Sequence, residues 1–151
     1  MGFFTVGTCA HCHAPLSVQE KAMNGLRPPD CTRCRACKIK ASKALRRFAH
    51  EFRLACEDDV ITSEEWQSLW VKLQPSGVTR DEALAYIRQD AIKFLDHLIE
   101  MTFADGVATL EEEAHFRRMI ATLEVCPKDM ANLRVKWDNA QNLSTSQNAN
   151  T

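Results

Sequence analysis

The sequence predicts a mainly helical protein headed by a small module that cysteine ligands, rather than a hydrophobic core, hold together. Three observations lead to that class. Five of the seven cysteines fall within the first 37 residues. Beyond them, apolar residues recur at three- and four-residue steps, the period of a helix face. Three Thr-x-x-Glu sequences stand where such runs begin. The chain of 151 residues then divides into a metal-binding module over 1–37, a helical bundle over 38–138 whose first helix is basic and connecting, and a polar disordered tail or linker over 139–151.

The module comes first. Cys9-Ala-His-Cys12-His13 is followed, eighteen residues on, by Cys31-Thr-Arg-Cys34-Arg-Ala-Cys37. Each C-x-x-C turn aims two thiolates at one point, and two turns complete a tetrahedron around an ion that binds sulfur well, which points to zinc. The ion would supply folding energy that about thirty residues without a core lack. The second pair follows Pro28-Pro29-Asp30 and leads straight into a helix. Cys9, Cys12, Cys31 and Cys34 are therefore the expected ligands, with Cys37 able to replace Cys31 and with His11 and His13 as further alternates. A zinc ribbon or treble-clef-like module is the expected shape. Four protein ligands leave no position for water, so the site is read as structural rather than catalytic. Cys9-x-x-Cys12-His13 also spells the attachment signature of c-type haem, which would leave the second cysteine cluster unexplained. An odd count of seven argues against a disulfide framework. A labile, redox-sensing zinc centre is the other alternative, since thiolates among many cations ionise readily.

A basic helix is expected next, from about Arg35 to Ala55. Cys37, Ala41, Ala44, Leu45, Phe48, Phe52 and Ala55 fill one arc of its wheel. Arg35, Lys40, Lys43, Arg46, Arg47 and Arg53 take the other side, either as a solvated face or as a stripe that contacts nucleic-acid phosphates. Charge divides along the chain in the same way: residues 1–53 hold ten Lys/Arg against three Asp/Glu, and residues 54–151 hold nine against seventeen.

The acidic part reads as a bundle. Thr62 to Glu65, Thr79 to Glu82 and Thr109 to Glu112 each mark a helix start, because the Thr oxygen accepts from an orphan N–H and the Glu reaches back. The helices carry Trp66, Leu69, Trp70 and Leu73; then Leu84, Ile87, Ala91, Phe94, Leu95, Leu98 and Met101; then Phe116, Met119, Ile120 and Leu123. A last helix opens at Pro127 with Met130, Leu133 and Trp137. The sequence from Asp58 to Glu65 returns 47 residues later from Asp105 to Glu112, which suggests approximate twofold symmetry. An EF-hand is excluded, since Met101 and Phe103 would stand at its first two ligand positions.

Phe103-Ala104-Asp105-Gly106-Val107-Ala108-Thr109-Leu110-Glu111-Glu112, set between amphipathic helices, resembles the tellurite-resistance TerB-like domain over about residues 45–137. The earlier copy departs from the pattern in having Asp59 where glycine is expected. The resemblance implies an all-helical fold, a place in bacterial or phage stress and defence systems, and a second divalent-metal site at Asp58, Asp59, Glu65, Asp105 and Glu112. The same acidic residues can equally cap helices and complement their dipoles.

Catalysis finds little footing. Five glycines leave no phosphate-binding Gly loop, His50-Glu51 begins a zincin motif that ends in Leu54, and there is no G-x-S-x-G elbow. Cys56 and Cys126 read as small buried hydrophobes, and His97 and His115 as packing or surface residues. No apolar run spans a membrane, peripheral membrane association stays open, and the first residues lack a secretory pattern, so a cytoplasmic location is expected. The expected function is that of a non-enzymatic zinc-binding adaptor with a protein partner. The alternatives are a nucleic-acid-binding regulator and a redox or metal sensor.

Overall fold

The structure, a computed structural model, describes residues 7–27 and 31–148. Pro28-Pro29-Asp30 and the last three residues of the expected tail lie outside the described residues. Six α-helices follow one another: α1 (Val18–Asn24), α2 (Arg35–Ala55), α3 (Ser63–Leu73), α4 (Arg80–Thr102), α5 (Leu110–Thr122) and α6 (Pro127–Asn148), with a 3₁₀ turn at Gln74–Ser76 after α3. The described residues contain no strand. One isolated antiparallel bridge, Thr8 with Pro15, stands where the sheet of a ribbon was expected.

All three Thr-x-x-Glu sequences form reciprocal capping boxes, at the starts of α3, α4 and α5. A fourth, Ser17 with Glu20, starts α1 in the same way. It carries the same signature in the sequence, but in front of too short a run to show a helical period. Helix α2 runs unbroken through the expected module boundary at residues 37 and 38, so one rod bears both a cysteine of the module and the first layer of the bundle core.

Helix α4 is the hub, packing against α2, α5 and α6, while α2 also packs against α3. Phe52, Ile87, Leu95 and Leu133 are wholly buried at these contacts. Aromatic rings gather in two groups. Trp70 lies between Phe48 and Trp66, at 5.0 and 5.3 Å, and Trp137 stacks on Phe116 at 4.7 Å and meets Phe103 edge-on at 5.0 Å. Ion pairs tie the helices around this core: Arg53 to Asp90 (α2 to α4) at 2.9 Å, Arg88 to Asp129 (α4 to α6) at 2.6 Å and Lys136 to Asp96 (α6 to α4) at 2.6 Å.

The internal repeat extends to the backbone. Asp59 adopts a left-handed φ of 62°, and Gly106, its counterpart, has φ of 123°. Aspartate is among the few residues that tolerate this region, so the departure from glycine changes the side chain while keeping a turn of the same hand. Two histidines read as ordinary packing or surface residues meet that turn. His115 donates from Nε2 to the Asp59 carbonyl at 2.9 Å, and His97 Nε2 lies 3.3 Å from the Asp59 carboxylate.

Two expectations need correction. Residues 139–148 are not a disordered tail; they complete α6. Packing of Leu133 and Trp137 anchors the helix, which then needs only propagation. Hydroxyls of Ser144, Thr145 and Ser146 bond back to the carbonyls of Gln141 and Asn142, which gives these polar side chains partners within the helix rather than in a linker. Cys126 is exposed rather than buried, and its thiol donates to Asp129 at 3.2 Å. Cys56 is half-buried against the core. Burial, then the nearby Asp90, Asp58, Asp59 and Glu65 carboxylates, pushes its thiol up to about 12.

Leu95 tests the hub. Leu95→Ala should lower stability by about 2–5 kcal/mol, whereas truncation of the exposed Leu143 should change it by less than about 0.5 kcal/mol. Urea unfolding of the metal-loaded protein checks both; equal losses would place the core elsewhere.

Candidate metal centre

The first pair of thiols sits on a tight turn that the backbone closes on itself. Leu16 N–H donates to the Gly7 carbonyl at 3.0 Å, Cys9 N–H to Ala14 at 2.8 Å and His13 N–H to Cys9 at 2.9 Å. His13 reverses the chain with a left-handed φ of 59°. The second pair sits on a helix start. Cys34 is the N-cap of α2 and Cys37 lies in its first turn, three residues on and on the same side. One more bond, Ala10 N–H to the Thr32 carbonyl at 2.9 Å, joins the two segments.

These supports bring Cys9, Cys12, Cys34 and Cys37 together, with all four sulfurs within 4.8 Å of one another. The Cys12 and Cys34 sulfurs are 3.7 Å apart. A tetrahedron with zinc–sulfur bonds of about 2.3 Å has sulfur–sulfur edges of about 3.8 Å, so the donor set and its spacing suit a zinc ion. Cys9 and Cys37 are buried, Cys34 is half-buried and Cys12 is exposed. Cys9, Leu16 and Cys37 form a small apolar cluster of their own, with Cys34 packed against it.

The expected ligand set changes in one member. Cys31 is outside the group and Cys37 is in it. Both C-x-x-C steps of Cys31-x-x-Cys34-x-x-Cys37 satisfy the spacing, and the helix decides between them. Cys34 and Cys37 share its first turn, whereas Cys31 is buried in the segment leading up to it. His11 and His13 are also outside the group. The His11 ring instead lies over Gly77, where an added Cβ would come within 2.2 Å of Nδ1.

Electrostatics fit a site built for anionic sulfur. Burial pushes the Cys9 thiol up, but backbone N–H groups of Cys12, Cys34 and His11 outweigh it and bring the thiol down to about 6. Cys37 is pushed up to about 12, by burial first and then by its hydrogen bonds with the Cys12, Cys34 and Cys9 thiols. Cys9 and Cys37 are thus driven in opposite directions, and a cation at the centre would favour the thiolate form of both. The N-terminal end of α2 adds a favourable dipole.

Residues that the sequence did not single out fix the centre to its surroundings. Asn24, wholly buried, donates to the carbonyls of Glu20 and Arg33 at 2.7 and 3.0 Å and accepts from Arg33 N–H at 3.3 Å. The Glu20 carboxylate accepts from Arg35 N–H at 2.6 Å, at the start of α2. The buried Arg33 guanidinium donates to both Glu82 oxygens at 2.6 and 2.7 Å, and to the Gly77 carbonyl at 2.6 Å. Arg33 lies between two cysteines in sequence, and nothing local announces a partner 49 residues away. The Ser17-x-x-Glu20 box did carry a signal.

The acidic residues expected to form a second divalent site are not gathered. Among the described residues the four cysteines are the one group of three or more ligand-type side chains with mutually close donor atoms. Glu65 and Glu112 are engaged in their capping boxes, where the N–H and hydroxyl of Thr62 and Thr109 hold their carboxyls below the usual range. Asp58 accepts from Val60 N–H at 3.3 Å, Asp59 meets His97, and Asp105 is exposed. Of the basic residues on α2, Arg53 pairs with Asp90, and Arg47 shares Glu51 with Lys72. Arg35, Lys40, Lys43 and Arg46 are exposed. Lys40, Lys43, Arg47 and Lys72 rim a cleft of about 260 Å³ floored by Phe48 and Leu69.

Comparison of the chain with protein-family models, with curated proteins and with solved structures gives no match.

The Arg33–Glu82 pair yields a pH prediction. Arg33 holds the Glu82 carboxyl down at about 2, against 4.5 ordinarily, despite partial burial. The stability it contributes is therefore fully present above about pH 4.5 and is lost as pH falls through about 2. Glu82→Gln should cost roughly 3 kcal/mol at neutral pH, because it strands a buried guanidinium. Urea unfolding should show that difference shrinking below about pH 4.5; a constant difference would contradict the assignment.

Gly77→Ala should separate docking from metal binding. Gly77 has φ of 68°, and an added methyl would strike the His11 ring. We expect a loss of about 2–4 kcal/mol with the metal content unchanged; an unaltered unfolding midpoint would show that the contact does not form.

Proposed function

We propose that the protein is a non-enzymatic zinc-binding adaptor in which a structural ion, held by Cys9, Cys12, Cys34 and Cys37, fixes the direction of α2 and so relates the N-terminal surface to the helical bundle. The observation that supports this most is the convergence of four sulfurs at the first turn of α2. All four donors come from the protein, so the ion would act by holding structure rather than by activating water. The bundle, on this reading, is a TerB-like domain that meets a protein partner in bacterial or phage stress and defence. The capped repeat and its matching left-handed turns at Asp59 and Gly106 support that part.

A second reading, nucleic-acid binding through α2, is supported by its exposed cations. Lys40, Lys43 and Arg46 have no carboxylate partner in any ion pair among the described residues. Phosphate contacts would give an affinity that falls steeply with salt.

Elemental analysis tests the ligand set. Wild-type protein purified under reducing conditions should carry about one zinc per chain. Cys37→Ser should lose it and Cys31→Ser should keep it. Retention in Cys37→Ser with loss in Cys31→Ser would overturn the assignment, and a metal-free wild type would overturn the function.

A further inference from the structure

Helix α1 is amphipathic the wrong way round. Its buried face is polar: Asn24 is wholly enclosed, and Glu20 turns toward the start of α2. Its outward face is largely apolar. At 100° per residue, Val18, Gln19, Ala22 and Met23 lie about 100–160° round from Asn24, so three of the four outward residues are apolar. Val18 is 85% exposed and Met23 68%, and Leu26, in the turn that follows, is fully exposed. That turn is pinned by Arg27 N–H donating to the Asn24 carbonyl at 2.9 Å, so the outward position of Leu26 is built into the backbone. Three large apolar side chains in nine residues are thus turned away from both cores of the described residues.

Cations surround them. Lys21 and Arg27 are exposed on the same short segment. Arg35 and Lys38 border a cleft with Met23 and Gln19, and the half-exposed Ile39 follows on α2. Within this segment the one described carboxylate, Glu20, is occupied by the N–H groups of Ser17 and Arg35. An apolar tip with a cationic rim matches the interface of an anionic bilayer. The side chains enter the acyl boundary while the ammonium and guanidinium groups meet headgroup phosphates. A nucleic-acid partner would use the cations and leave Val18, Met23 and Leu26 in water. No helix of the described residues is long and apolar enough to cross a membrane, so the contact is peripheral.

We propose that the outward face of α1 and the turn after it, with Val18, Met23 and Leu26 inside a rim of Lys21, Arg27 and Lys38, docks on anionic phospholipid surfaces. This goes beyond the adaptor reading, since the surface stands on α1 and needs no particular metal or bundle partner.

Vesicle sedimentation of the full, metal-loaded chain tests it. Vesicles of phosphatidylcholine mixed with phosphatidylglycerol should retain the protein, and phosphatidylcholine alone should retain it far less. Met23→Ser with Leu26→Ser should weaken retention by at least roughly tenfold, and Lys21→Ala with Arg27→Ala by roughly tenfold or more at low salt. These side chains are exposed, so metal content and circular dichroism should match wild type; unchanged zinc with lost retention separates this surface from the metal site. Two results would overturn the proposal: no retention on anionic vesicles, or retention indifferent to the Met23 and Leu26 changes, which would mark the cations alone as a phosphate contact.

Discussion

Four sulfur atoms meeting at the first turn of α2 constrain the rest of the molecule. Among the described residues, the segment before α2 buries little apolar surface, Cys9 and Leu16 clustering with Cys37 of α2. Without a cation, these four sulfurs are crowded with little to hold them together. With one, they become a closed knot whose ligands lie on two separately braced pieces of chain, a hydrogen-bonded turn and a helix cap. Because Cys37 belongs to the same helix as Phe48 and Phe52, the knot and the bundle core share a rigid element. The direction of the N-terminal surface therefore follows from the position of the sulfur group, without a hinge between them.

The second brace is electrostatic. Arg33, next to Cys34, reaches across to the start of α4, where it meets a carboxylate already engaged in capping that helix. Glu82 thus serves a helix terminus and an interface together. A buried ion pair of this kind adds little net stability, because desolvation consumes much of the attraction, yet removal of either partner is costly. Gly77 completes the joint by leaving room for His11. The opposite charges of the two halves of the chain meet here at one buried pair, while most cations of α2 remain in solvent.

Much of this was legible in the sequence, and the reasons are local ones. Helix α2 was readable to its ends because its apolar residues keep one period over 21 residues. The starts of α3, α4 and α5 were readable because Thr-x-x-Glu satisfies backbone donors within four residues. The thiol group was readable as a cluster but not in its membership: Cys31 and Cys37 have the same spacing from Cys34, and which one joins the group depends on where the helix begins. Arg33–Glu82 and His11 over Gly77 are distant contacts with no local signature. Residues 139–148 misled because Asn, Ser and Thr are common in linkers, while here their hydroxyls turn back onto an anchored helix. The acidic repeat drew attention as a metal site through a family resemblance, yet Glu65 and Glu112 are each committed to their own helix start.

The most direct test of the central claim is zinc K-edge X-ray absorption on the purified, reduced protein. The account predicts a single shell of four sulfur ligands at about 2.3 Å, unchanged in a variant lacking Cys31. A shell containing nitrogen from His11 or His13, or one that loses a sulfur when Cys31 is removed, would contradict it.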